Sequence, residues 1–245
     1  MSIVVDDLTV FYKKRVPVLD HISLEIGSGE SIALLGENGS GKTSLAYCLN
    51  GIIPHSSPAY VTGTVTIRGK DTRKMSIGEI ACNVGMVFQD PDLVIFNPTV
   101  AEEVAFGVQN LKLDQPQKRI SAALRKVGLK RFEDADPQTL SEGRKQLLCI
   151  ACVLAMGTQF IILDEPVAHL DYKNALMVYE VLSHLQSQGK TILVIEHDTQ
   201  FVWDYCDRTV ILHKGKIIAD GMTKKILSQT DIVQNATLRP VLHQR

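Results

Sequence analysis

The chain has 245 residues, 45% hydrophobic and 22% charged, enough for one or two globular domains with a buried core. A formal net charge of −1 excludes the broad electrostatic footprint of a nucleic-acid binder. No apolar run reaches the roughly 18 residues of a membrane-spanning helix, and Met1-Ser2-Ile3-Val4-Val5 starts in a strand-like segment rather than a basic-then-apolar leader, so a cytoplasmic location is expected.

The first third reads as β-rich. Ser2 to Phe11, Val18 to Ile26 and Val61 to Arg68 carry β-branched residues, with Gly27-Ser28-Gly29 and Gly69-Lys70 as turns. Ser31-Ile32-Ala33-Leu34-Leu35 is a short apolar strand candidate running into Gly36-Glu37-Asn38-Gly39-Ser40-Gly41-Lys42-Thr43. That octet fits G-x-x-x-x-G-K-[ST], the phosphate-binding P-loop, in which backbone N–H groups, a lysine and a hydroxyl hold a nucleotide triphosphate and its magnesium. The context is the required one. A strand precedes the loop, and Thr43, Ser44 and the residues up to Asn50 read as a helix, with Gly51 as its C-cap. The helix start points free N–H groups and its positive dipole end at the phosphates.

Val84 to Phe88 is a further buried-strand candidate, and the stretch from about Pro91 to Met156 reads as mostly helical. Thr99 opens one helix with an acidic first turn, and Ile120, Leu124 and Val127 keep helical spacing in another. Cys149-Ile150-Ala151-Cys152 is the only C-x-x-C; it lies in an apolar helical run, and no second pair or paired histidines complete a zinc site, so reduced core thiols are expected. Phe160 to Leu163 and Thr191 to Ile195 are short apolar runs flanked by helices, the pattern of parallel strands covered on both faces. The first ends in Asp164 and Glu165. Asp164 fits the role of holding magnesium together with Thr43, and Glu165 could polarise an attacking water. Trp203 reads as helix packing. The polar stretch from about Ser228 to Arg245 has no clear period and is expected to be poorly ordered.

With these residues in hand, the sequence resembles the ATP-binding cassette ATPases from about Ser2 to Leu227. The motifs stand in the family's order. Tyr12 matches the aromatic residue that stacks on adenine, and Gln89 the Q-loop glutamine that senses magnesium and couples to a membrane partner. Leu140-Ser141-Glu142-Gly143-Arg144 aligns with the L-S-G-G-Q signature, Ala168-His169-Leu170-Asp171 with the D-loop, and Ile195-Glu196-His197-Asp198 carries the switch histidine. The segment from Val87 to Gly107 is similar to the Q-loop region of the energy-coupling factor ATPases, as is Val153-Leu154-Ala155-Met156; Leu49 to His55 is similar to members linked to thiamine-type precursors. The resemblance implies an α/β fold: a P-loop NTPase core with an antiparallel β subdomain, a helical signature subdomain at about 91–156, and a tail at 228–245. It implies ATP and Mg2+ as ligands, a membrane transport subunit as partner, and a peripheral position on the cytoplasmic face of the membrane. Two such domains would sandwich two nucleotides, with Ser141 and Gly143 of one capping the phosphate on the other's P-loop; Ser141 fits a helix N-cap.

The signature is altered. Glu142 replaces its first glycine, Arg144 its glutamine, and Ala168 the usual D-loop serine. A carboxylate aimed at the phosphate would repel it; Glu142 could instead face solvent, or Arg144 could compensate. A competent homodimer and a pair with a second, different ATPase both fit. Outside transport, a soluble cassette ATPase of DNA repair or translation would be expected to carry long insertions or tandem cassettes, which are missing, and a regulatory module without turnover sits poorly with Glu165 and His197.

Overall fold

The computed structural model describes residues 2–13 and 16–241. One sheet is antiparallel and built from β1 (Ile3–Phe11), β2 (Leu19–Ile26), β4 (Tyr60–Ile67) and β5 (Lys70–Asp71) in the order β2-β1-β4-β5. The other contains β3 (Ser31–Leu35), β6 (Val84–Val87), β7 (Phe160–Asp164), β8 (Thr191–Ile195), β9 (Arg208–His213) and β10 (Lys216–Met222) in the order β10-β9-β3-β8-β7-β6. All its pairings are parallel except β9 with β10.

The apolar runs explain the layers. Every residue of β3 and β8 is buried, as a parallel strand covered on both faces demands. Alternate side chains enter different cores because successive residues of a strand point to opposite faces. Ile162 and Leu193 pack toward the antiparallel sheet with Leu8, Ile22 and Leu45, whereas Ile161, Leu163, Ile192 and Val194 pack toward the helices with Leu148 and Tyr179.

Helix α1 (Lys42–Leu49) follows β3; α2 (Ile52–His55) and α3 (Ile77–Ala81) are short, and α3 starts with a capping box between Ser76 and Glu79. The predicted helical region is α4 (Val100–Asn110), α5 (Pro116–Lys126) and α6 (Glu142–Ala155), inserted between β6 and β7. Thr99 caps α4 as expected, its hydroxyl accepting from Glu102 N at 3.2 Å. Cys149 and Cys152 lie inside α6; burial pushes the Cys149 thiol up to about 12 and raises that of Cys152, which suits inert core thiols. Helix α7 (Tyr172–Ser187) joins β7 to β8, and α8 (Thr199–Tyr205) joins β8 to β9.

The tail differs from expectation. After α9 (Thr223–Leu227), residues 230–235 form α10 (Thr230–Asn235), and Val233, Ala236, Leu238 and Val241 are buried against Val202, Ile211 and Leu35. The Thr199 hydroxyl donates to the Arg239 carbonyl at 2.9 Å, fixing the tail to the start of α8. A few small apolar residues suffice to bury the segment, too few to show a period. Residues 242–245 of the predicted tail lie outside the described residues.

Arg208 ties the two sheets. Its Nη1 donates to the Glu25 carbonyl of β2 and to the Glu30 carboxylate, both at 2.9 Å, while Nε and Nη2 grip Asp220 of β10 at 2.7 Å each.

Candidate nucleotide-hydrolysis site

Strands β3, β8, β7 and β6 are consecutive neighbours, and their carboxyl ends open on the same edge of the sheet. Each continues into a segment singled out in the sequence: the P-loop after β3, Glu196-His197 after β8, Asp164-Glu165 at the end of β7, and Phe88-Gln89 after β6. Ligands of open α/β sheets bind outside such strand ends. Topology therefore gathers residues that are far apart in the chain.

The P-loop is held open by glycines. Gly39 and Gly41 have φ of 79° and 107°, and a Cβ at Gly41 would stand 2.7 Å from both the Val18 carbonyl and a Leu19 methyl. Gly41 is the N-cap of α1 and supplies no side chain, so the first-turn N–H groups are left for another acceptor. They face a cavity of about 250 Å³ lined by Asn38, Gly39, Gly41, Lys42, Thr43, Ser44 and Glu165. Lys42 Nζ donates to the carbonyls of Gly36 at 2.8 Å and Glu37 at 3.0 Å. Burial lowers the pKa of this ammonium, and the carboxylates of Glu165, Asp164 and Glu37 oppose that shift. The Thr43 hydroxyl donates to Asp164 Oδ2 at 3.1 Å. Burial raises the Asp164 carboxyl pKa, and the Thr43 bond works against it. A hydroxyl and a carboxylate side by side at the cavity edge are the hard oxygen donors that suit Mg2+, which takes few protein ligands beside substrate phosphates. Tyr12, 42% exposed, reaches the same helix and shares a 3.1 Å hydrogen bond with the Ser44 hydroxyl.

Glu165 is the junction of the site. Its backbone is left-handed, φ 47°, which is strained for a residue with a Cβ and is held by its N–H donating to the Ile195 carbonyl at 3.0 Å. One carboxylate oxygen accepts from Gln89 Nε2 at 3.1 Å; the other meets His197 Nε2 at 2.8 Å. Beneath it, the buried Glu196 carboxylate accepts from His197 N at 3.1 Å and the Tyr179 hydroxyl at 3.0 Å. Burial pushes its pKa up to about 7. Tyr179 is itself stacked between Phe201 and Tyr205, with ring centroids at 4.8 and 5.1 Å.

The signature segment stands apart. Ser141 is the N-cap of α6 by position, but its exposed side chain makes no capping bond, contrary to a capping hydroxyl. No hydrogen bond joins Ser141 or Gly143 to the P-loop among the described residues. Gly143 packs against Asn174, where a Cβ would come within 2.9 Å of Oδ1. Both substituted residues turn to neighbours on this chain. Glu142 pairs with Lys145 at 3.2 Å, which also holds Asp92 at 2.7 Å, and Arg144 lies 4.6 Å over the Phe132 ring.

Sequence reasoning missed Glu103 and the Glu196–Tyr179 pair. Glu103 is buried in α4, and one of its oxygens accepts from Phe96 N at 3.0 Å, Asn97 N at 2.8 Å and Asn97 Nδ2 at 3.0 Å. The available signal was an acid beside the Val100-Val104-Val108 face of an amphipathic helix.

Fold and site together define a P-loop ATPase. The family model described as "ABC transporter" matches residues 19–168. An energy-coupling factor transporter ATP-binding protein of Methanospirillum hungatei is 42% identical over 241 residues, spanning 96% of this chain and 59% of that protein. One of Methanocaldococcus jannaschii is 39% identical over 237 residues, 95% of this chain and 83% of that protein. The solved structure of cbiO1 from Clostridium perfringens, part of the ABC transporter complex cbiONQ, matches at TM-score 0.84 with 33% identity, covering 97% of this chain and 94% of that one. The chain belongs to the ABC transporter family, among relatives named as energy-coupling factor ATPases.

Proposed function

We propose that this chain is the ATP-hydrolysing subunit of an energy-coupling factor importer for a vitamin, a vitamin precursor or a metal ion. The observation that carries the reading is the hydrogen-bonded row Gln89–Glu165–His197 beside Lys42, Thr43 and Asp164. ATP enters with its phosphates against the N–H groups of Gly36 to Ser44, and Lys42 exchanges the Gly36 and Glu37 carbonyls for phosphate oxygens. Tyr12 stacks on the adenine. Thr43 and Asp164, assisted by Gln89, would hold Mg2+, which would supply positive charge against the phosphates. Glu165 orients and polarises the attacking water, and His197 contacts the terminal phosphate. Catalysis is thus mainly positioning and electrostatics.

The exposed Ser141, with the backbone of Gly143 behind it, completes the site of a second ATPase subunit, a copy of this chain or a different one. Glu142, held by Lys145, adds little repulsion there. A few residues after Gln89 in the chain, Leu93 is 82% and Phe96 64% exposed, with Phe106 packed edge-on to Phe96 at 4.9 Å. We assign this apolar patch to the membrane subunit, which puts the chain on the cytoplasmic face. No helix among the described residues is long and apolar enough to cross a membrane.

The test is Glu165→Gln. Hydrolysis is expected to fall by about 100-fold or more while ATP binding persists. Hydrolysis at the parent rate would overturn the assignment, and failure to co-purify with any membrane subunit would count against a transport role.

A further inference from the structure

Where α5 and the turn after it meet α6 and α7, the surface opens into a cavity of about 460 Å³ that the hydrolysis site does not use. Its lining carries Arg125, Lys126, Arg131 and Arg144 against a single carboxylate, Glu180, together with His184 and apolar residues that include Phe132. The Arg131 and Arg144 guanidinium carbons lie 4.9 and 4.6 Å from the centre of that ring. None of the four cations forms an ion pair among the described residues, whereas nearby Lys130 is paired with Glu133 and Lys145 with Asp92. Lys126 adds a like-charge contribution, after burial, to lowering the pKa of Lys190. Four cations against one carboxylate leave an excess of positive charge at one concave site.

We propose that this cavity binds a small phosphate-bearing ligand. Its volume of about 460 Å³ lies in the range of small-molecule sites. Guanidinium forks match phosphate oxygens two at a time, and the remaining rim lysine adds a point charge. The site bridges two bodies, since α5 and α6 belong to the helical subdomain and α7 joins two strands of the core sheet. Arg144 belongs both to the rim and to the signature segment, three residues after Ser141. A ligand engaging Arg144 thus touches the element that faces a second subunit. The assignment stands on the cavity and does not depend on the hydrolysis reading.

The test uses the full chain carrying Lys42→Ala, which silences the P-loop, titrated calorimetrically with inorganic pyrophosphate. Binding is expected to remain, to weaken at higher salt, and to fall by about tenfold in each of Arg131→Gln and Lys126→Gln. Lys130→Gln, which lies outside the cavity, is expected to leave it unchanged. Both rim side chains are exposed, and circular dichroism verifies that the variants fold. Sedimentation with phosphatidylglycerol against phosphatidylcholine vesicles separates the two sources of phosphate: retention on the former, lost in the same two variants, assigns a lipid headgroup. No binding to pyrophosphate or to phosphatidylglycerol, or binding that both rim substitutions leave intact, overturns the proposal.

Discussion

Glu103 offers a quantitative check on how the segment after Gln89 is held. Three donors converge on one oxygen of a carboxylate that is 6% exposed. Hydrogen bonds to a charged group contribute about 1.5–3 kcal/mol each and neutral ones about 0.5–1.5 kcal/mol, so Glu103→Gln, which keeps an oxygen acceptor, is expected to cost about 1 kcal/mol per bond and about 3 kcal/mol in all. Glu103→Ala strands two backbone N–H groups at about 1–3 kcal/mol each and removes packed atoms besides, for about 3–6 kcal/mol. In a chain of this size that corresponds to a fall in melting temperature of about 6–12 °C for the glutamine variant and more for alanine. Urea titration with a common m-value is the assay. The loop that presents Phe96 should also loosen, so binding to membranes carrying the partner should fall more than basal ATP hydrolysis. If both variants stay within about 1 kcal/mol of the parent, Glu103 is not what holds this loop, and the reasoning fails.

Other expectations follow from single contacts. Gly143→Ala puts a methyl within 3.0 Å of Asn174 Cβ, an atom anchored to the backbone, and should destabilise by about 1–3 kcal/mol in chemical denaturation; an unchanged midpoint would contradict that packing. Glu196 has a folded pKa of about 7, above the ordinary carboxylate value of 4.5, so the folded state holds its proton more tightly and stability falls as pH rises through that window. Glu196→Gln should flatten this slope by up to about 1.4 kcal/mol per pH unit between the two values; parallel parent and variant curves from pH 5 to 8 would count against it. Leu238→Asp should uncover the Val202–Val233 cluster and cost about 2–4 kcal/mol, with hydrolysis reduced because the tail braces the start of α8 beside His197; full stability would show that the tail contributes nothing.

The parts of the site with a fixed local pattern were legible. Gly36 to Thr43 announces its conformation because only glycine fits at Gly41, and β3, β7 and β8 announce their burial because both faces are covered. The convergence of Gln89, Glu165 and His197 on one another was not legible from spacing, since it follows from strand order, and only the resemblance grouped them. The left-handed backbone at Glu165 left no trace, since nothing in a glutamate marks it. β9, β10 and the tail escaped notice for different reasons. β9 has only three strongly apolar residues in a row, Val210 to Leu212, between Arg208 and His213, β10 is an edge strand whose alternation includes aspartate and glycine, and the tail buries isolated small residues. Buried acids such as Glu103 and Glu196 look like surface residues until their donors are seen.

Arg208 has a mechanical consequence. One guanidinium bonds a carbonyl of β2, a carboxylate leading into β3 and another on β10, so the two sheets cannot tilt against each other without breaking several charge-assisted bonds at once. The floor under the nucleotide and the strand leading to Tyr12 are riveted into a single chassis. A displacement of the α4–α6 insertion, which leaves the chassis after β6 and rejoins it at β7, would leave all of these bonds intact.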